Sequence, residues 1–138
     1  MLLDTDVLSE LMKSQPEPKV YRRALSRGDI SYICAINKAE IEYGIALLPP
    51  GKRKAQLAES AAKIFAAFAK RCLPFDAEDC PHYAAIRADD KKKGRPLGGD
   101  KMMADAMIAA VARRHHFTLA TRNIKDFPEN MDIVDPWR

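Results

Sequence analysis

Apolar residues fall along this chain in two alternating rhythms. Met1-Leu2-Leu3 is a short apolar run that stops at Asp4, and the next polar positions, Thr5 and Asp6, open a helix over 7–12. Pro16 and Pro18 mark a turn, followed by a helix over 19–26 that stops at Gly28. Ile30-Ser31-Tyr32-Ile33-Cys34-Ala35-Ile36 is β-rich and predicts a second strand. Asn37 then reads as the cap of a helix over 38–48, closed by Pro49-Pro50-Gly51. From 52 to 70, Leu57, Ala61, Ile64, Phe65 and Phe68 form one apolar stripe at helical spacing. Cys72-Leu73-Pro74-Phe75 predicts a third, peripheral strand, and Asp76 caps a helix over 77–90 that Gly94 and Pro96 close. Gly98-Gly99-Asp100 leads into a long helix to His115, and strands follow at 117–121 and 131–134. Strands alternating with helices imply a parallel sheet covered on both faces, an α/β/α architecture.

At 138 residues, with 47% hydrophobic and 30% charged content, the chain is a single domain spanning 1–138 and an ordinary globule. No apolar run approaches the ~20 residues of a membrane span, and acids arrive too early for a signal peptide. The three cysteines show no metal-ligand spacing and read as small hydrophobes of a reducing cytoplasm. Net charge is +4, gathered in clusters at Arg22-Arg23, Lys52-Arg53-Lys54, Lys91-Lys92-Lys93 with Arg95, and Arg113-Arg114. Such clusters favour a polyanion such as nucleic acid.

The chemistry is in the acids. Asp4 stands at the C-terminal end of the first strand, the edge where open α/β sheets bind ligands. Asp105 is the single polar residue from Met102 to Ala112, so a helix apolar on nearly every face carries it inward. A buried carboxylate demands a donor, a base or a metal. Placed in the first helical turn, it would gain modestly from the dipole. Glu40, just after the second strand, reaches the same edge, with Gly44 one turn on leaving room beside it; Glu42 points away to solvent. Thr121, Asn123 and Asp126 follow the fourth strand. Carboxylates without a His or Cys pattern suit a hard cation, Mg²⁺ or Mn²⁺, which pairs with substrate phosphates.

Four segments, Leu2 to Ser9, Ala39 to Gly44, Ala104 to Ala110, and Ala120 to Asn123 with Asp126-Phe127, resemble the PIN-domain ribonucleases, and more narrowly the VapC-type toxins of bacterial toxin–antitoxin modules. Asp135-Pro136-Trp137 is similar to the closing segment of that group. The resemblance implies a five-stranded sheet in order 3-2-1-4-5, metal-dependent RNA cleavage, a cognate antitoxin, and homodimers that assemble further with it. It places Asp4 and Asp105 as metal ligands and Glu40 as the second acid of the site. Two departures stand out. Asp6 replaces the usual Asn, and the fourth acidic position falls on Asn123, leaving it to Asn123 or Asp126.

Two other chemistries use Asp-x-Asp after an apolar strand. An aspartyl phosphatase or phosphotransferase would make Asp4 a nucleophile, but Leu8 stands where that fold needs Thr or Val. A receiver domain would make Asp76 a phospho-acceptor with Lys125, and would leave Asp105 without a task. For the nuclease, Lys91, Lys92, Lys93, Arg95 and Arg122 are the candidate phosphate contacts. Exposed apolar surface is expected around Leu8, Leu11 and Met12 and along the Leu57 to Phe68 stripe, serving dimer or antitoxin contacts.

Overall fold

The computed structural model describes every residue except Arg27, Asp29, Pro96 and Leu97. The chain runs β1 (Leu2–Leu3), α1 (Thr5–Leu11), α2 (Pro18–Ala24), β2 (Ile33–Cys34), α3 (Ala35–Ala46), α4 (Lys52–Ala67), β3 (Cys72–Leu73), α5 (Cys80–Lys92), α6 (Asp100–Arg114), β4 (Leu119–Ala120) and β5 (Ile133–Val134). Short 3₁₀ turns occupy Ala69–Arg71, Ala77–Asp79 and Ile124–Asp126. No described helix is long and apolar enough to cross a membrane.

All strand pairs are parallel. They form two ladders, β1-β4-β5 and β2-β3. A bridge between Leu2 and Tyr32 joins them, with the Leu3 amide donating to the Tyr32 carbonyl at 2.9 Å. The continuous sheet expected from the resemblance is thus present as a three-stranded and a two-stranded piece held by one bridge.

The strands are only two residues long, and that length has a simple logic. Successive side chains point to opposite faces. Leu2, Cys34 and Leu119 pack into one core, with Leu73 and Ile133 against it. Leu3, Ile33 and Ala120 pack into the other, with Cys72 and Val134 against it. Each strand therefore gives one residue to each helical layer. The first core is completed by Ile86 of α5 and by Ile108 through Ala112 of α6. Three alanines there (Ala109, Ala110, Ala112) are buried, and their small size lets α6 press close. The second core draws on Val7, Leu8 and Leu11 of α1, Val20 of α2, Ile41 of α3, and Ala61 and Phe68 in and just beyond α4. Truncating Leu3 to Ala in such a core costs about 2–5 kcal/mol.

Local signals explain the boundaries, and four expectations need correction. The 30–36 strand shrinks because α3 starts early. Asn37 is not its cap but its third residue, where the Asn37 Oδ1 accepts from the Cys34 amide at 2.8 Å. Glu40 consequently lies in the second turn of α3. Asp105 likewise lies in the second turn of α6, out of reach of the dipole of the first. Leu8 and Leu11 are buried in the core, as are Ala61 and Phe68, with Ile64 and Phe65 packed against them. Leu8, Leu11, Ala61 and Phe68 are therefore core, not docking surface, while Met12 and Leu57 are partly exposed and line a groove with Gly44 and Ile45.

Asp76 caps, accepting from the Glu78 amide at 3.0 Å, but what it caps is the 3₁₀ turn Ala77–Asp79, and α5 begins only at Cys80. Gly94, with φ +70°, ends α5, and its amide donates to the Lys91 carbonyl at 3.2 Å. Pro96, the other expected stop, lies outside the described residues. Gly99, with φ +92°, turns the chain into α6 through a conformation that strains any side chain.

Candidate active site

Because every strand is parallel, the segments leaving β1, β2 and β4 emerge on one edge. Asp4 is the first residue past β1 and is 1% exposed. It does two jobs: its Oδ1 caps α1 by accepting from the Thr5 amide at 2.8 Å, and its Oδ2 accepts from the Thr121 hydroxyl at 2.8 Å. Burial, and next the charge of Asp6, push the Asp4 carboxyl up to about 7. Two effects oppose it, the hydrogen bonds from Thr121 and Thr5.

Asp6, without an assigned role from the sequence, holds the loop after β4 in place. Its Oδ2 accepts from the Arg122 amide at 2.9 Å, the Thr121 hydroxyl at 3.3 Å and the Asn123 side-chain amide at 3.4 Å. Thr121 is fully buried, and its oxygen accepts from the Asn123 amide at 3.0 Å. Thr121 and Asn123 are thus brought to the site, through Asp4 and Asp6. Burial raises the Asp6 carboxyl as well. A cap-like Asp is easily mistaken for a mere turn residue, and the Asp-x-Asp spacing was the signal for more.

Glu40 is held from below by a relay that begins in the backbone. The buried Asn37, fixed by the Cys34 amide, donates to the Thr5 hydroxyl at 3.1 Å. That hydroxyl donates to Glu40 Oε1 at 2.6 Å. Gly44 borders open space, where an added Cβ would meet nothing, in keeping with the room expected beside Glu40. Glu42 is exposed and pairs loosely with Lys38 at 3.7 Å, as expected.

Asp105 is 2% exposed. Its Oδ1 pairs with Lys101 Nζ at 3.1 Å, from one turn earlier on α6. Its Oδ2 is buried with no hydrogen-bond partner, as is Asp6 Oδ1. Burial raises the Asp105 carboxyl despite Lys101, and the charges of Glu40 and Asp126 add to the rise. Asp126 thereby belongs to the electrostatic surroundings of Asp105. For Lys101, burial works against the ammonium, but Asp105, then Asp4 and Glu40, overrule it and raise its pKa.

Could these groups hold a divalent cation? Among the described residues, no three acidic, His or Cys side chains are arranged to hold a metal ion as they stand. Mg²⁺, however, binds through one or two carboxylates, with water and phosphate oxygens completing its shell. Two orphaned buried carboxylate oxygens, an all-oxygen donor set and an ammonium drawn in by three acids fit such an ion. Asp105, through its open Oδ2, and Asp4, whose oxygens already accept from Thr5 and Thr121, would be the residues to hold it, with Glu40 behind.

The basic candidates divide. Arg122 borders the site: its amide binds Asp6, and its guanidinium lies 3.9 Å over the Trp137 ring. Arg95 reaches the Phe127 carbonyl at 3.4 Å, beside Asp126, and lies 3.8 Å from both Asp90 and Glu129. Lys91 and Lys92 are exposed in the last turn of α5, and Lys93 pairs with Asp89 at 3.1 Å. Among the described residues, no hydrogen bond or ion pair joins these three to Asp4, Asp6, Glu40 or Asp105.

Residues 1–130 match the family model of the PIN domain. The chain belongs to the PIN domain family. It is 36% identical over 140 residues to the VapC ribonuclease Y4jK of Sinorhizobium fredii, covering 99% of this chain and 97% of that protein. It is 38% identical over 141 residues to Toxin FitB of Neisseria gonorrhoeae, covering 99% and 98%. Among solved structures, FitAB bound to an IR36 DNA fragment superposes with a TM-score of 0.82 at 38% identity, covering 99% of this chain and 95% of that one. The PIN likeness expected from four short segments is met along the whole chain.

Proposed function

We propose that this PIN domain is a divalent-cation-dependent endoribonuclease and the toxin of a toxin–antitoxin pair. One observation carries the reading: buried carboxylates converge at the C-terminal sheet edge without enough donors to satisfy them. Relatives named as a VapC ribonuclease and a tRNA(fMet)-specific endonuclease VapC support RNA as substrate.

A cation held by Asp4 and Asp105 would supply water activation and positive charge at the scissile phosphate. The chain's own residues do the rest. The Asn37–Thr5 relay keeps Glu40 facing the cation position, where it can hold a water proton. Thr121 and Asp6 lock the loop after β4, setting Asn123 and Asp126 at the phosphate's approach. Arg122, stacked on Trp137, offers its guanidinium at the rim. Together these positioned groups supply geometry that a flexible loop would lose.

The antitoxin partner finds support in solved complexes such as FitAB. Its contact belongs on a groove of about 500 Å³ lined by Ile36, Tyr43, Met103 and Met107, which opens beside Glu40 and Lys101. Tyr43 and Met103 are among the most exposed large hydrophobics. The homodimer implied by the resemblance is part of the same proposal, checked by light scattering.

Purified protein should cleave a fluorogenic single-stranded RNA with Mg²⁺ or Mn²⁺ and lose that activity in EDTA. Cleavage unaffected by EDTA would overturn the cation-dependent reading. A stable acyl phosphate on Asp4 or Asp76 would favour the phosphotransfer chemistries instead. The structure already counts against Asp76 as an acceptor, since Arg114 holds it at 2.8 Å.

A further inference from the structure

Lys101 is a charged side chain of opposite sign coupled to Asp105, Asp4, Glu40 and Asp6 alike. Its ammonium is 3.1 Å from Asp105 Oδ1, and Asp4 and Glu40 also favour its charge. Asp6 is stabilised by it in turn. The pairing is built into α6: residues four apart share a helix face, so Lys101 stands one turn before Asp105 and leans over it. The two ends of the pair differ sharply, however, with the Lys101 side chain 60% exposed and that of Asp105 3%.

From this geometry we propose that Lys101 is a built-in competitor for the cation position, an internal counter-ion on Asp105 Oδ1 whose charge opposes the entry of a divalent ion beside Oδ2 and favours its own displacement when that ion binds. The inference rests on the cation-dependent reading above. An ion pair with one half-exposed, flexible partner is weak and easily opened. A doubly charged ion brings twice the charge and sits nearer the oxygens, at about 2.0–2.1 Å for Mg²⁺. It therefore wins at sufficient concentration, and monovalent ions do not. Until then the ammonium offsets repulsion among acids that burial would otherwise leave unpaired. Lys101 in this way sets the divalent-ion concentration at which the centre fills. Its four-carbon stem keeps the released ammonium at the rim, so displacement needs only a rotamer change, not a movement of α6.

The test is Mn²⁺ affinity, measured by electron paramagnetic resonance at fixed pH and ionic strength, with no RNA present. Lys101→Met should bind Mn²⁺ roughly fivefold more tightly than the unmodified chain, or tighter still. Lys101→Arg, which keeps the charge, should bind like the unmodified chain. The gain must vanish in Lys101→Met combined with Asp105→Asn, which ties it to this site. Lys101→Gln repeats the measurement should the methionine variant fold poorly by circular dichroism. Equal or weaker Mn²⁺ binding by the neutral variants, with the unmodified chain binding normally, overturns the competitor role alone. Absence of binding in every variant overturns the cation-dependent reading and this inference with it.

Discussion

Helix α6 meets one acidic cluster at its second turn and another at its C-terminus, and the two are chemically opposite. Toward its C-terminus, Arg114 answers Asp76 at 2.8 Å, Glu78 at 2.7 Å and the fully buried Asp79 at 3.5 Å. Slight burial notwithstanding, the Glu78 amide and Arg114 hold the Asp76 carboxyl below its usual range. Nine residues earlier, about 13 Å along the helix, Asp105 meets Asp4, Glu40 and Asp6 around a single exposed lysine. There burial wins, and the carboxyls of Asp4, Asp6 and Asp105 rise. At the C-terminal end even Asp79 Oδ1, which lacks a hydrogen bond, has the Arg114 guanidinium at 3.5 Å. At the other end Asp105 Oδ2 and Asp6 Oδ1 have no hydrogen-bond partner, which is the arrangement expected of a ligand site.

The sharpest way to break this contrast is to neutralise one acid in each cluster. Asp105→Asn or Asp4→Asn should lower RNA cleavage by roughly a hundredfold or more, with circular dichroism unchanged. Asp76→Asn should leave cleavage per folded molecule as it was. Equal loss at both ends would show that the clusters do not differ in function.

Stability should respond in opposite directions. An Asp whose pKa is raised in the folded state binds its proton more tightly there than in the unfolded chain. Its contribution is complete below about pH 4 and lost as pH climbs to about 7, the value to which Asp4 is pushed. Metal-free protein should therefore become less stable across that range. Asp4→Asn keeps an oxygen for the Thr5 amide and should gain about 1–3 kcal/mol at pH 8 without divalent ions. A denaturant titration at pH 5 and pH 8 checks both statements; a flat pH profile in the unmodified chain would refute them. Arg114→Met, by contrast, strips the charge partner of buried Asp79. It should lower the unfolding temperature by more than Lys63→Met, which breaks only an exposed pair at 3.6 Å.

The same contrast explains how much of the molecule could be read from its residues. Asp4 and Asp105 were legible because each interrupts an apolar run, and a polar residue there has no cheap structural reason. The α/β/α layering was legible in the alternation of strand and helix rhythms. Lys101 was not, since it precedes the apolar run and looks like any solvated residue of a first turn. Asp6 and Asn37 look locally like caps. Their bonds to Arg122, Asn123 and Thr5 cross the chain, and no local pattern encodes them. Leu8, Leu11, Ala61 and Phe68 read as outward in the sequence because amphipathicity shows that a face is apolar, not what covers it. The β-rich 30–36 segment overran because Asn37 bonding to the Cys34 amide starts α3 at once.

The smallest expected effect concerns RNA attraction to a site that is itself acidic. A negative pit repels RNA unless cations surround it. Arg122 stands at the rim, bound to Asp6 through its amide, whereas Lys91, Lys92 and Lys93 sit at the end of α5 with Lys93 already paired to Asp89. Charge reversal of the three lysines, in an Asp105→Asn background that stops cleavage, should weaken RNA binding and flatten its salt dependence. With two exposed lysines beside one already paired, the slope of log K against log salt should fall by about 1–2. Acids at a helix C-terminus also oppose its dipole, so circular dichroism must show α5 intact. Arg122→Gln should reduce affinity on its own, because its guanidinium is fixed on the Trp137 ring while its amide is held by Asp6. An unchanged slope in the triple variant with a reduced one in Arg122→Gln would place RNA recognition wholly at the rim of the carboxylate cluster.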